Sequence, residues 1–99
     1  MVDVRRTVEF HAFFDNLRDE RAKAKIATRI MRLASGNMGD AKSVGMGINE
    51  MRIDYGPGYR VYFKRHGDAF VVLLCAGDKS TQGRDTKRAL LIAEEYDWS

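Results

Sequence analysis

The sequence predicts an α+β fold, with an antiparallel sheet covered by helices on one face. Two segments with helical periodicity come first, three segments with strand character follow, and a last helical segment comes after them. Runs of helices followed by runs of strands are typical of α+β domains. A chain of 99 residues has room for one hydrophobic core, so we expect a single domain over residues 1–99.

The first two helices are predicted from the spacing of apolar side chains. In residues 8–17 these side chains recur three or four positions apart, as on one side of an amphipathic helix, at Phe10, Phe13, Phe14 and Leu17. Residues 20–34 carry a second such stripe, at Ala22, Ile26, Ile30 and Leu33. Gly36 and Asn37 favour a helix end directly after it.

A β-hairpin is predicted next, because apolar and polar residues begin to alternate. The alternation runs from Met51 to Tyr55 and again from Tyr59 to Lys64, as in strands with one buried and one exposed face. The Gly56-Pro57-Gly58 segment between these runs is suited to a turn.

A further strand is expected over residues 69–76, whose continuous apolar run AFVVLLCA is typical of a central strand buried on both faces. Helical spacing resumes from Ser80 to Tyr96, and Ser80 or Thr81 is positioned to cap this helix. Val4–Thr7 is a candidate edge strand. The predicted order is therefore (β)ααβββα, and we expect the functional site on the sheet face that the helices leave open.

The composition favours an anionic partner and excludes several kinds of site. Seventeen Lys and Arg against fourteen Asp and Glu give a net charge of +3, which suits nucleic acid or an acidic protein as a partner. With one cysteine, Cys75, and two histidines, the chain lacks the pattern of a zinc site or disulfide framework. We expect no metal and no cofactor. No apolar run reaches the ~18 residues of a membrane span, so we expect a cytoplasmic protein without a signal peptide.

A cationic sheet face is the first candidate site. If the short turn keeps the hairpin in register, alternation places four side chains on one face: Arg52, Arg60, Tyr62 and Lys64. A guanidinium group binds two phosphate oxygens at once, and a tyrosine ring stacks on bases. This pattern favours RNA binding. The alternative is an ordinary solvated face on which Glu50 and Asp54 balance the charge.

Two other groups of basic residues are further candidates. Lys79 and Arg84 lie in the connection to the last helix, and a helix N-terminus favours a phosphate group. A plain connection capped by Ser80 is the alternative. Arg29 is one of several cations on the helix over residues 20–34. These charges suit RNA or an acidic partner segment, and they equally suit a solvated helix face.

The chain resembles a known family in segments spread over most of its length. The most specific are YGPGYRVYF at residues 55–63 and GDKSTQ at residues 77–82; the others are Leu17-Arg18-Asp19, Gly36-Asn37, Gly39-Asp40 and Glu50-Met51-Arg52-Ile53. From about residue 8 to residue 93 the chain is similar to the HigB-like "addiction module killer" branch of the RelE/ParE toxin superfamily.

This resemblance implies the toxin of a type II toxin–antitoxin module. The implied partner is a cognate antitoxin, commonly a helix-turn-helix DNA-binding protein, and operator DNA is reached only through that antitoxin. Members with RelE-like activity cut mRNA in the ribosomal A site without a metal, by attack of the 2′-hydroxyl on the adjacent phosphate. The arginine of the GYR strand is a site residue in that family, and it corresponds to Arg60.

The resemblance also suggests roles for the cationic residues. Arg60 is assigned to phosphate stabilisation, and Arg52 and Lys64 are supporting cations. Lys79 is the next candidate, in proton transfer, and Tyr62 is expected to stack on a base or orient the phosphate. The tyrosine, histidine or glutamate that many RelE-like enzymes carry near the last helix has no matching motif here, so the acid and the base stay unassigned. Two alternatives remain: a ParE-like inhibitor of DNA gyrase, and a toxin that only binds its antitoxin and represses the operon with it.

Overall fold

Five β-strands and three α-helices form the chain in a computed structural model that describes residues 1–99. In chain order they are β1 (Asp3–Arg6), α1 (Val8–Asn16), α2 (Glu20–Ala34), β2 (Ala41–Gly45), β3 (Ile48–Ile53), β4 (Tyr59–His66), β5 (Phe70–Asp78) and α3 (Gln82–Glu95). One turn of 3-10 helix, Lys79–Thr81, joins β5 to α3. Every helix and strand predicted from the sequence is present. No helix is long and apolar enough to cross a membrane.

The strands form one mixed sheet in the order β1-β5-β4-β3-β2. The α+β class is confirmed, and so is the edge strand predicted near Val4. The expectation of a wholly antiparallel sheet is wrong, because β1 runs parallel to β5 while the other neighbouring strands are antiparallel. Parallel neighbours require a long crossover connection, and here α1, α2 and the strands after them lie between the two.

β2 is the element that the sequence pattern does not indicate. Its residues, AKSVG, are mostly small or polar, and Lys42 and Ser43 are exposed. β2 lies at the sheet edge, where it pairs only with β3. Short, polar edge strands protect a sheet from pairing with other chains, so the weak strand pattern fits this position.

Helices cover both faces of the sheet. On one face, Phe10 of α1 and Ile26 and Leu33 of α2 belong to a core formed with β3, β4 and β5. On the other face, Ala89 and Ala93 of α3 pack in a second core. The expectation that one face stays open is therefore wrong. The reason lies in β5, which is buried on both sides along almost its whole length, so a second layer must cover it.

Polar side chains cap the first two helices. The Asp19 carboxylate accepts the N–H groups of Arg21 and Ala22 at the start of α2, and the Ala22 bond is the main reason why the pKa of Asp19 lies below its ordinary value. Capping of α3 by Ser80 or Thr81 is not observed. The chain enters α3 through the 3-10 turn instead, and Asp78 caps that turn.

Thr7 joins β1 to α1 and to the centre of the sheet. Its buried hydroxyl accepts the Phe10 N–H at 3.1 Å and lies 2.7 Å from the Leu74 carbonyl oxygen. We expect Thr7→Val to lower the free energy of unfolding by about 1.5 kcal/mol, because both bonds are lost while the side-chain volume is kept. Urea unfolding measures this loss. Thr28→Val, at an exposed helix position, is the matched control, and equal losses in the two variants would contradict the role of Thr7.

Candidate functional site

The hairpin register predicted from alternation is confirmed for β3 and β4. Arg52 lies opposite Arg60, and Glu50 lies opposite Tyr62. Residues opposite each other in an antiparallel pair project to the same face, so all four side chains lie on the face covered by α3.

Arg60 is held close to the backbone at the start of β4. Its side chain is only 11% exposed, its Nη1 donates to the Gly58 carbonyl at 2.7 Å, and its Nε lies 3.8 Å from Glu50 Oε1. That Nε is buried and has no hydrogen-bond acceptor. Arg60 is therefore held in place from two sides, by the Gly58 carbonyl and by the Glu50 carboxylate.

Glu50 is a buried acidic residue next to Arg60, and its carboxylate connects the polar side chains around it. The carboxylate is fully buried; it accepts the Tyr62 hydroxyl at 3.0 Å and the Gln82 amide N–H at 2.9 Å. The sequence pattern predicts for Glu50 only the role of a charge that balances a solvated face. The sequence carries one indication of this role, the position of Glu50 opposite Tyr62 on the neighbouring strand. This indication becomes informative only when α3 is known to cover this face of the sheet.

The expectation that the Tyr62 ring stacks on a base is wrong. The side chain is fully buried, with its hydroxyl bonded to Glu50, so its ring is not available to stack on an RNA base. Burial, with a contribution from the Glu50 carboxylate, raises the pKa of Tyr62 well above its ordinary value. The physical reason for the wrong expectation is again α3, which covers the part of the sheet where Tyr62 lies.

Lys79 lies close to Arg60, on the other side of Gly58. A Cβ atom at Gly58 would lie 3.1 Å from Arg60 Nη1 and 3.6 Å from Lys79 Cβ, so the glycine lies between the two residues. Gly58 also has a φ of +80°, which favours glycine. Lys79 itself is exposed. Arg52, Arg60 and Lys79 are called the cationic cluster below.

Arg52 is the member of the cationic cluster that forms the shortest ion pair with an acidic residue. Its Nη2 pairs with Asp40 Oδ1 at 2.9 Å, and its side chain is 39% exposed. Its Nε is buried without an acceptor, as in Arg60. The two arginines thus lie opposite each other on neighbouring strands.

The remaining predicted RNA-binding cations lie elsewhere. Lys64 shares the face of the cluster but sits at the far end of β4, with its Nζ 5.3 Å from the centre of the Trp98 ring. Arg84 lines a cleft between α1 and α3. Arg29 lies on the opposite side of the sheet and donates to the carbonyls of Arg52, Met38 and Asp40. The structure therefore does not bring these three together with the cationic cluster.

The turn into α3 does not offer a free phosphate position. The Asp78 carboxylate accepts both the N–H group and the hydroxyl of Ser80. These bonds, the hydroxyl first, hold the pKa of Asp78 below its ordinary value. An anion supplied by the protein itself thus occupies this N-terminus, which favours the interpretation of residues 77–85 as a capped connection.

Other reactive side chains do not form a second centre. No group of three or more His, Cys, Asp or Glu side chains is arranged to hold a metal ion. Cys75 is buried in the core beneath α3, as expected, and burial raises its pKa to about 12, so its thiol stays protonated at neutral pH. His66 stacks on Phe70 and Trp98, with ring centres 4.8 and 5.7 Å away, and serves to anchor the C-terminal segment.

Comparison with known proteins gives one relative. The chain is 52% identical over 94 residues to an uncharacterized protein of Haemophilus influenzae, and the alignment covers 95% of both chains. No family model matches the chain. No solved structure matches it.

Proposed function

The chain belongs to one family with this Haemophilus influenzae protein, and we propose that it is the toxin of a type II toxin–antitoxin module that cleaves mRNA on the ribosome. The cationic cluster is the observation that carries this proposal: two arginines opposite each other on neighbouring strands, next to an exposed lysine. The resemblance of the sequence to the HigB-like branch of the RelE/ParE superfamily supports the same function.

The cationic cluster is suited to bind a phosphodiester and to stabilise the transition state of its cleavage, in which the phosphate group carries more negative charge than in the substrate. Guanidinium N–H groups form charged hydrogen bonds to the non-bridging oxygens of a phosphate. Donors held in place before the reaction stabilise developing charge more effectively than mobile ones. Arg60 is held in this way, by the Gly58 carbonyl and by the buried Glu50 carboxylate.

In the proposed reaction the RNA supplies its own nucleophile. The 2′-hydroxyl loses its proton to a base and its oxygen attacks the adjacent phosphorus, while the bond from phosphorus to the 5′-oxygen breaks. The products are a 2′,3′-cyclic phosphate and a 5′-hydroxyl. Arg60 stabilises the pentavalent phosphorane, Arg52 supports it, and the Lys79 ammonium group offers a proton to the leaving 5′-oxygen.

The proposed partners follow from the same function. The ribosome presents the mRNA, and a cognate antitoxin, a helix-turn-helix protein, neutralises the toxin and carries it to operator DNA. This places the protein in the cytoplasm. Lys64, on the same face as the cationic cluster, adds positive charge along the path of the RNA.

Cell-free translation with the purified protein tests the proposal, with primer extension along the message to map cuts. We expect codon-phased cuts that require translating ribosomes. Arg60→Ala is expected to slow cleavage about 100-fold, the typical effect of removing one donor that stabilises transition-state charge. Arg65→Ala is the matched control, because Arg65 lies near the other end of the same strand. Circular dichroism confirms that each variant is folded.

Two results would overturn the proposal. Equal cleavage by the folded Arg60→Ala variant would remove the cationic cluster from the mechanism. An intact message with undiminished protein synthesis would exclude ribosome-dependent cleavage, and a supercoiling assay would then separate a gyrase inhibitor from a toxin that only binds its antitoxin.

A further inference from the structure

A second cationic surface lies on the opposite side of the sheet from the cationic cluster. It is an open groove of about 810 Å³ between α2 and the end of β3. Four cations line it, Arg21, Lys25, Arg29 and Arg32, against a single acidic residue, Asp54. The groove therefore has an excess of positive charge that the proposed function does not use.

None of these four cations takes part in an ion pair. The four ion pairs of the molecule join Arg5 to Asp3, Arg52 to Asp40, Arg60 to Glu50 and Arg84 to Asp85. None of them includes a residue of α2. Arg29 gives its N–H groups to backbone carbonyls, whereas the exposed side chains of Arg21, Lys25 and Arg32 donate no hydrogen bond within the protein.

The free cations form a straight rim along α2. Arg21, Lys25 and Arg32, with Thr28 between the last two, are spaced by four, three and four residues, so they lie along one side of the helix. At a rise of about 1.5 Å per residue, the rim is roughly 16 Å long. This length corresponds to three turns of a partner helix.

The groove also has an apolar wall. Ala24, Ile53 and Tyr55 contribute to it, and the Tyr55 ring is fixed because its hydroxyl donates to Asp19 at 3.0 Å. An apolar wall beside a cationic rim matches a helix with apolar side chains on one side and carboxylates on the adjoining side.

We propose that this groove binds an acidic amphipathic segment of a partner protein, and, resting on the proposed function, that the partner is the antitoxin. A peptide fits the groove better than RNA does. The Lys25 Nζ lies 5.4 Å from the centre of the Tyr55 ring, so a cation already lies over that ring where a base would stack. An occupant of the groove leaves the cationic cluster, on the other face, uncovered.

Fluorescence anisotropy with defined probes tests this inference. The probes are a labelled helical peptide of roughly 12 residues, long enough to follow the rim, with glutamates on one side and leucines on the adjoining side; the same peptide with glutamines; and a single-stranded RNA. Three proteins are compared. They are the wild type, the groove variant Arg21→Glu/Lys25→Glu, and a control variant with the same charge change on α3, Lys87→Glu/Arg88→Glu. Lys87 and Arg88 are exposed and lie outside the groove.

We expect the acidic peptide to bind the wild type and the control equally well. It is expected to bind the groove variant at least roughly tenfold more weakly, which corresponds to a loss of about 1.4 kcal/mol of binding free energy. The glutamine peptide is expected to bind weakly to all three proteins. Three results would overturn the inference. The two variants lose equal affinity for the acidic peptide, the two peptides bind equally well, or the groove variant weakens the binding of RNA alone. The RNA result would identify the groove as a nucleic-acid surface.

The cleavage assay keeps this inference separate from the proposed function. The groove variant is expected to cut mRNA as the wild type does, because the groove and the cationic cluster lie on opposite faces. If the wild type does not cut mRNA, the proposed function fails, and the peptide measurements still decide whether the groove binds an acidic segment.

Discussion

Replacing Glu50 with alanine is expected to lower the free energy of unfolding by about 4 kcal/mol. The carboxylate is fully buried and accepts hydrogen bonds from Tyr62 and Gln82. Alanine leaves these donors without an acceptor, and it leaves the Arg60 guanidinium without its neighbouring anion. Domain stabilities are roughly 5–15 kcal/mol, so this loss is a large part of the total. Urea unfolding followed by circular dichroism measures it.

Two further variants separate the buried network from a general effect of removing a glutamate. Glu94→Ala, at an exposed position of α3, is expected to change stability by less than ~0.5 kcal/mol. Glu50→Gln is expected to fall between the two, because an amide oxygen still accepts the Tyr62 hydroxyl. Equal unfolding midpoints for Glu50→Ala and Glu94→Ala would contradict the network.

Gly77→Ala is expected to cost about 3 kcal/mol of stability, the upper range for overpacking a filled site. A Cβ atom at Gly77 would overlap the carboxylate of Asp85 and lie 2.7 Å from Thr81 Oγ1. Asp85 is only 1% exposed, and its carboxylate accepts the Thr81 hydroxyl, so moving this side chain breaks a buried hydrogen bond. The added methyl group must therefore push the start of α3 away from β5.

The matched control for Gly77→Ala is Gly83→Ala, in the first turn of α3. Nothing lies within 4 Å of a Cβ atom at Gly83, and alanine favours a helix more than glycine does. This variant is expected to be as stable as the wild type or slightly more stable. Thermal unfolding of both variants checks the pair, and a neutral Gly77→Ala would show that α3 adjusts without cost.

The local parts of the fold are predictable from the sequence, because short-range patterns determine them. The apolar stripe of α2 defines that helix from Glu20 to Ala34, and the structure has the same bounds. Alternation and the short turn at residues 56–58 place Arg52 opposite Arg60. In both cases the residues that carry the signal lie within one helix or one hairpin.

The position of α3 depends on long-range packing, and this explains the main errors. The apolar run of β5 already implies that both faces are covered, yet the alanines of α3 make a narrow stripe that does not indicate which face the helix takes. The burial of Tyr62 and Glu50 depends on that choice. Lys79 comes near Arg60 through the register of β4 with β5, in which Arg60 pairs with Gly77, and no local pattern encodes that pairing.

The parallel pairing of β1 with β5 has a consequence for the order of folding. As the chain is synthesised, β1 precedes its partner by about two thirds of the sequence. The antiparallel neighbours β3, β4 and β5 are joined by short turns, so their contacts close small loops, which costs little chain entropy and favours early formation. β1 therefore joins a sheet that already exists, and the N-terminal strand stays free for much of the time that the nascent chain needs to grow.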